Sequence, residues 1–343
     1  AEIKNTYQAS KIDSKRTSSN KMVATDLRLK GMNYCTEAIA TGNYGYYQKA
    51  IDAYEKAIIL DPQNAETYKL CASAYSLLKK HQQAINVSNK LIKRYPKLAD
   101  GYFSRGLAHY WKGNFSQAIK DFDIVIKLDP DQWTAFHYKG MAYFNKSNYL
   151  KAINELTIAI NIAEKKINNV DETMSEEQLK SDNLTTTLQL TSDYGCRGRA
   201  YYLIGNNKLA VNDFSKAIEL LPQYYENDII YALRSQASLE DKTNWTDTPP
   251  MNNFLRFLSD INKAIELNPN NPEYYSYRAK LNFYYYLGLI RERYDNTGLN
   301  YEQVKEKARY DTESAEFVQI AEAARNQIDI DNNIASKLRN KGD

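Results

Sequence analysis

The side chains with chemistry to offer are few: three histidines (His81, His109, His137), three cysteines (Cys35, Cys71, Cys196), and basic residues that recur beside a glycine or alanine. A zinc or thiol centre needs its ligands at short fixed spacings, and C-x-x-C and H-E-x-x-H are both missing. Phosphate cradles of the G-x-x-x-x-G-K-[ST] or G-x-G-x-x-G type are missing as well. His81 falls in a turn between predicted helices, and His109 occupies an aromatic packing phase. Cys71 and Cys196 adjoin small residues, where cysteine acts as a small hydrophobe. No catalytic residue, metal or cofactor is expected, and the chain is not read as an enzyme.

The basic set is different, because it repeats. Arg105, Lys139, Arg197, Arg234 and Arg278 each precede a small or polar residue in a predicted helix. Carboxylates recur at a matching phase in the following helix: Asp121, Glu155, Asp213, Asp260 and Asp311. One further site lacks both partners, carrying Cys71 and Val87 instead. Joint presence and joint loss predict a partly buried salt bridge within each helix pair. A row of ligand-binding arginines is the alternative.

The elements that carry these pairs are written in a repeat. "EKAIILDP" (55–62), "SKAIELLP" (215–222) and "NKAIELNP" (262–269) are near copies. Pro62, Pro96 and Pro130 are 34 residues apart. Five positions before each proline phase stand Ala57, Leu91, Val125, Ala217 and Ala264. Eight before stand Tyr54, Ser88, Phe122, Phe214 and Ile261, and twelve before stand Ala50, Ala84, Ala118, Ala210 and Phe257. Those offsets share one helical face. A preceding helix shows an aromatic, then a small residue four later: Tyr68/Ala72, Tyr102/Gly106, Phe136/Gly140 and Tyr194/Gly198. Glycine inside a helix costs about 1 kcal/mol relative to alanine, so a close helix crossing is expected there. "KGNF" (112–115) and "IGNN" (204–207) suit a C-cap between the two helices.

This pattern resembles the tetratricopeptide repeat family, helix–turn–helix units of 34 residues. The fold class expected is all-α, a right-handed superhelical solenoid of about seven such repeats. They fall near 25–64, 65–98, 99–132, 133–166, 191–224, 228–271 and 272–325, with insertions at about 167–190, 240–253 and 291–300. In the first insertion Ser175 and Gln178 read as a capping box. Residues 1–24 have little apolar content and no helical period, and are read as flexible or loosely packed. Residues 326–343 are read as a C-terminal tail. In the last repeat Ala308, Thr312 and Ala315 are taken as the second helix.

The resemblance implies a concave groove lined by the first helix of each repeat. Helical phase then points Phe103, Leu107, Tyr110, Trp111, His137, Met141, Phe144, Arg199 and Tyr202 into it, together with Lys69, Ser73 and Leu77. Aromatic clusters facing water mark binding surfaces, although the same residues could pack within the superhelix. The family's lysine, asparagine and arginine set for a peptide carboxylate is not matched: Ser73, Ser104, Asp100 and Tyr138 occupy the region beside Lys69. The expected function is a protein-interaction scaffold that holds a protein or peptide segment, apolar or aromatic in part. Alternatives are a structural subunit acting through its convex face or insertions, or a regulatory or catalytic role through a segment not recognised.

Composition agrees with those classes. The formal net charge is +3, and residues 1–30 hold seven Lys/Arg against three Asp/Glu. The remainder is close to neutral, so no nucleic-acid partner is expected. No apolar run reaches the ~18 residues of a membrane span. The start "AEIKN", without Met, favours an exported chain (periplasmic or extracellular) over a cytoplasmic one, and a trimmed chain would begin alike. Oligomeric state is not readable.

Overall fold

Four of the helix pairs are closed by the same tight turn. In the computed structural model, Gly113 and Gly205 take φ of +81° and +79°, and Lys79 and Ser147 take +57° at the equivalent position. The N–H of Gly113 donates to Tyr110 O, and that of Asn114 to His109 O, so the last carbonyls of one helix are satisfied before the next begins. Lys79/Lys80, Ser147/Asn148 and Gly205/Asn206 repeat the two bonds. A side chain in left-handed backbone costs about 1–2 kcal/mol, and glycine removes that cost while loosening the unfolded chain. Ser147→Gly is therefore expected to stabilise by about 0.5–1 kcal/mol, read from the thermal unfolding midpoint.

The structure describes residues 2–168, 176–222, 227–241, 251–297, 303, 306 and 312–340. Among them are fourteen helices and no strand. The first unit, Ala1–Ile162, holds α1 (Glu2–Thr41), α2 (Gly45–Leu60), α3 (Ala65–Leu77), α4 (His81–Arg94), α5 (Ala99–Trp111), α6 (Phe115–Leu128), α7 (Trp133–Asn145) and most of α8 (Tyr149–Asn168). The second unit, Ala163–Asp343, holds α9 (Glu176–Leu203), α10 (Asn207–Leu220), α11 (Asn227–Glu240), α12 (Met251–Leu267), α13 (Pro272–Thr297) and α14 (Thr312–Arg339).

In the first unit α1 through α7 each pack on the next, and α3 and α5 also touch the first helix of the following pair. The buried face is the one that the repeat phase selects. Tyr54, Ala84, Leu91, Ala118, Phe122 and Val125 are fully buried, as are Ala152, Leu156 and Ala159 of the repeat that lacks its proline. In the second unit Ala210, Phe214, Ala217, Phe257, Ile261 and Ala264 fill the same positions. Asn64 caps α3 through a 3.0 Å bond from Thr67 N, and Asn206 caps α10.

The expected ion pairs form, with one correction. Arg105 holds Asp121 through Nε (2.9 Å) and Nη2 (2.6 Å), Arg197 holds Asp213 (2.7 and 2.8 Å), and Arg234 holds Asp260 (2.9 and 2.6 Å). Lys139 meets Glu155 at 2.8 Å. Arg278 pairs with Asp331 at 2.9 and 2.6 Å rather than with Asp311, which lies outside the described residues. The second helix of the last pair is α14, and Ala335 lies buried four residues beyond Asp331 as Val125 does beyond Asp121. The stretch read as a tail thus belongs, through Arg339, to a packed helix.

These cations also reach backward, which spacing alone did not reveal. Arg105 Nη1 donates to Asn89 (2.8 Å), Arg234 to Ser215 (3.3 Å) and Arg278 to Asn262 (2.8 Å), while Lys139 bridges to Asp123 (2.8 Å). Each acceptor lies on the second helix of the preceding pair. The guanidinium groups of Arg105, Arg197, Arg234 and Arg278 further sit 5.3–5.6 Å from the ring of the tyrosine three residues earlier. The bridge joins neighbouring repeats as well as the two helices of one.

Other departures lie at the ends and insertions. The segment 1–24, read as without helical period, is helical from Glu2 in α1; of residues 18–24 only Ala24 is buried. Helix α9 absorbs residues 176–190 of the first insertion; Ser175 lies outside the described residues and α9 begins at the next one. The greater part of the second insertion, residues 242–250 with Trp245, lies outside the described residues. Of the third, α13 carries residues 291–297 and the rest is not described.

Candidate functional site

The first helices α3, α5 and α7 of the first unit frame a cleft of about 770 Å³. Its floor is small, made of Ala72, Ser73, Ser76 and Ser104, and its walls are Leu77, Leu107, Trp111 and Tyr138. Lys79 and His81 stand at one rim. Small residues on α3 leave room, and bulky ones one repeat later close the side. Trp111 remains 57% exposed and Leu77 51%. Large apolar side chains seldom face water together unless something covers them.

An aromatic cluster sets the wall. Tyr138 stacks on the buried Phe122 with centroids 6.0 Å apart and planes at 22°. Phe103 (6.1 Å), Tyr110 (5.7 Å) and His137 (4.6 Å) meet the same ring edge-on. Tyr110 in turn meets Trp111 edge-on at 5.1 Å. The tryptophan is thereby held from behind while its outer face stays open.

Placement of the groove residues is uneven. Leu107 and Trp111 line the cleft. Phe103, Met141 and Phe144 are half-buried on the same helices, Phe144 against Tyr149 at 5.5 Å. Tyr110 and His137 turn inward, 8% and 5% exposed, and serve the aromatic packing. Arg199 and Tyr202 belong to the second unit; Arg199 is exposed and Tyr202 donates to Glu240 at 3.1 Å. Burial of its hydroxyl, and then the nearby Glu240 carboxylate, pushes Tyr202 up to about 12.

Tyr138, which the sequence marked only as an occupant of the region beside Lys69, forms a wall of the cleft. The signal was the change from Ser104 to Tyr138 at one repeat position, a small residue facing a large one across adjacent first helices.

Charge is distributed unevenly around the cleft. Lys69 is held by Glu66 (2.8 Å) and lies 3.7 Å from Asp100, and the Glu66 bond keeps its amine above the ordinary lysine range. At the opposite ends of the same helices the turns carry exposed Lys79, Lys80, Lys112 and Lys146. There the amines meet neutral oxygens: Lys80 donates to Gln48 (2.7 Å), Lys112 to Gln82 (2.7 Å) and Lys146 to Ser116 (2.6 Å). Cations at helix C-termini also suit the helix dipole. Burial, then the nearby Lys79 and Lys112, lower the His81 imidazole from its ordinary value. Burial likewise lowers His109.

The cysteines sit apart from this chemistry. Cys71 is fully buried and burial pushes its thiol up to about 12, which leaves no thiolate for attack. Among the described residues no group of three or more His, Cys, Asp or Glu is placed to hold a metal ion. No described helix is long and apolar enough to cross a membrane.

Comparison with known proteins bears on the fold. Models of the tetratricopeptide repeat match residues 42–64, 72–97 and 99–132. No curated protein matches the chain. Among solved structures, a tetratricopeptide repeat protein from Parabacteroides merdae is 15% identical over 88% of this chain and 99% of its own, with a TM-score of 0.50. YrrB, described as a TPR protein with an unusual peptide-binding site, is 16% identical over 64% of this chain and 94% of its own, at 0.44. The first TPR of Spaghetti (RPAP3), bound to HSP90 peptide SRMEEVD, is 28% identical over 37% and 95%, at 0.34. At these identities the first of the three supports a shared helix-pair fold and nothing finer.

Proposed function

We propose, for a chain that belongs to the tetratricopeptide repeat family, that it acts as a protein-interaction scaffold whose first unit grips a partner segment in the α3–α5–α7 cleft. Proteins of this family bind peptide or protein partners. The single observation that carries the finer reading is Trp111: a large aromatic ring, more than half exposed, beside an open cleft and braced from behind by Tyr110. Such a ring contributes contact area with little entropy left to lose, which is how binding hot spots work. Leu107 and Leu77 extend the apolar wall, and Phe103 supports it. No bond-making or bond-breaking step belongs to this reading.

The test is affinity capture with the full chain, repeated with Trp111→Ala and Phe103→Ala. Loss of a cleft anchor is expected to weaken a partner's binding by about 2 kcal/mol, roughly thirtyfold. Trp111→Ala should change the stability by no more than about 0.5 kcal/mol, because its ring is largely exposed. A partner retained by both folded variants would contradict the cleft reading and favour assembly through the convex face or the insertions.

A further inference from the structure

The turns that close the helix pairs of the first unit form an edge at the helix ends, apart from the cleft floor. Lys80 donates to Gln48, Lys112 to Gln82 and Lys146 to Ser116, each reaching from one turn to the second helix of the preceding pair. Four successive turns therefore stand side by side. Residues 38–51, 76–86, 108–119 and 142–153, which make these turns and their flanks, hold Lys49, Lys79, Lys80, Lys112, Lys146 and Lys151 and no aspartate or glutamate. All of these lysines are exposed. Beyond the neutral tethers, the Lys49 and Lys151 amines lie over the Tyr46 and Tyr143 rings at 4.7 and 5.4 Å, which leaves the charge uncancelled. Carboxylates return at the links on the far ends of the helices, with Asp61, Glu66, Asp100, Asp129 and Asp131 beside Lys93, Arg94 and Lys97. The turn edge also carries large apolar side chains. Ile39, in the last turn of α1, is 75% exposed; Tyr44, just before α2, and Leu150, in the first turn of α8, are 66% exposed. None of the three lines the cleft.

We propose that this turn edge docks on the surface of an anionic lipid bilayer. The proposal goes beyond the scaffold reading and does not depend on it. Lysine keeps its ammonium among charged headgroups while its methylene stem lies along apolar surface. Tyrosine suits the same boundary, and aliphatic tips such as Ile39 and Leu150 enter the outer part of the acyl region. Each lysine near a negative leaflet adds attraction that fades within a Debye length. Packed helices lie about 8–10 Å apart, so four turns lay out a strip about 30 Å long. Neither signal holds a protein on a bilayer well by itself, and here both lie on one edge. A nucleic acid would use the lysines but has no place for the aliphatic tips. The basic start of α1 is a separate feature: Lys21 and the lysines before it lie about 30 Å or more along the helix from its turn end. The cleft crosses the helices and the edge lies at their ends, so one chain has room to hold a partner while docked.

The experiment measures cosedimentation of the full chain with vesicles of phosphatidylcholine, either alone or with about 30% phosphatidylserine. The serine-containing vesicles are expected to bind about tenfold or more tightly, and to lose that margin at high salt. Lys79→Gln, Lys112→Gln and Lys146→Gln together should weaken that binding about thirtyfold or more. Ile39→Ser with Leu150→Ser should weaken it about tenfold. All five side chains are exposed, so an unchanged thermal midpoint certifies each variant as folded. The absence of a margin between the two vesicles would overturn the proposal, and that comparison uses the unaltered chain. Full binding by the folded triple-lysine variant would assign the attraction to the start of α1 and overturn it as well. A single-stranded oligonucleotide provides the last arm. If it binds as tightly as the serine-containing vesicles, and the vesicles are indifferent to Ile39→Ser with Leu150→Ser, the edge is a plain polyanion surface and the lipid assignment falls. Capture of a partner in the cleft should survive Ile39→Ser with Leu150→Ser and fail with Trp111→Ala, so the scaffold reading stands or falls separately.

Discussion

Asp331→Ala is expected to destabilise the α13–α14 pair by about 3 kcal/mol, at the lower end of the 3–5 kcal/mol seen when half of a buried ion pair is removed. Asp331 is fully buried, and both carboxylate oxygens are committed to Arg278 at 2.9 and 2.6 Å. Gln327 donates a further bond of 2.9 Å. The alanine variant leaves a guanidinium with only Asn262 and the Tyr275 ring. Water softens the loss, since 18% of the Arg278 side chain is exposed. In a repeat array the defect stays near the end where it is made. Hydrogen exchange should quicken in α14 and α13 while α3–α6 keep their protection. Asp311→Ala, the exchange that repeat spacing singled out, is the control and is expected to leave the Arg278 pair intact. Replacing both partners, Arg278→Met with Asp331→Leu, should recover much of the stability, because no charge is then left buried.

That misplacement of one partner shows what periodicity can and cannot read. From residue 45 to residue 268 the proline phase picks the buried face of almost every second helix, because each carries small and aromatic residues there and polar ones elsewhere. Only the first part of α9 reads as an insertion: over residues 184–190 just Thr186 and Leu190 are buried, whereas from Tyr194 the repeat phase holds, with Tyr194, Cys196 and Ala200 buried. A search for an apolar stripe sees a gap over such a stretch. The start of α1 escaped likewise, since residues 18–23 include no buried side chain and hence no stripe. In the last pair, Ala308, Thr312 and Ala315 imitated the small-residue phase more closely than Asp331 and Ala335, whose intervening neighbour Asn332 is exposed where other repeats bury Phe122, Leu156, Phe214 or Ile261.

The cleft was half legible. Helical phase marked Leu107 and Trp111, which line the cleft, although Leu107 is half-buried and also packs against the core around Phe122. Phase does not say how far a neighbouring ring reaches. Tyr110 and His137 share the outward half-turn, yet Tyr138 draws both inward through edge-to-face contacts. The lysine edge was visible residue by residue but not as a surface. Lys80, Lys112 and Lys146 become a row only when three turns are set side by side, and the neutral tethers lie about thirty positions earlier in the sequence.

Gly106→Leu joins the fold to the cleft and should have an effect as large as that of Asp331→Ala. A Cβ on Gly106 would stand 2.8 Å from Phe122 Cε1 and 3.1 Å from Cδ1 and Cζ, so the ring must move. Phe122 is fully buried and Tyr138 is stacked on it, which closes the direction of retreat. Overpacking of this kind costs about 1–3 kcal/mol, and the added branched side chain places leucine at the upper end. Gly106→Ala should cost less, because the helix gains about 1 kcal/mol in propensity against the clash. Gly140→Ala is expected to be the worse of the two alanine variants. Its Cβ meets Leu156 Cγ at 2.7 Å and also the Leu156 backbone nitrogen at 3.3 Å, which no rotamer change can clear. Urea unfolding of the four proteins would give the order directly. Displacement of Phe122 also pushes Tyr138 toward the cleft that it lines, so Gly106→Leu should weaken peptide binding even at temperatures where the chain remains folded. Unchanged stability and unchanged binding together would mean that α5 and α6 do not cross at this glycine, and the wall behind Trp111 would have no support.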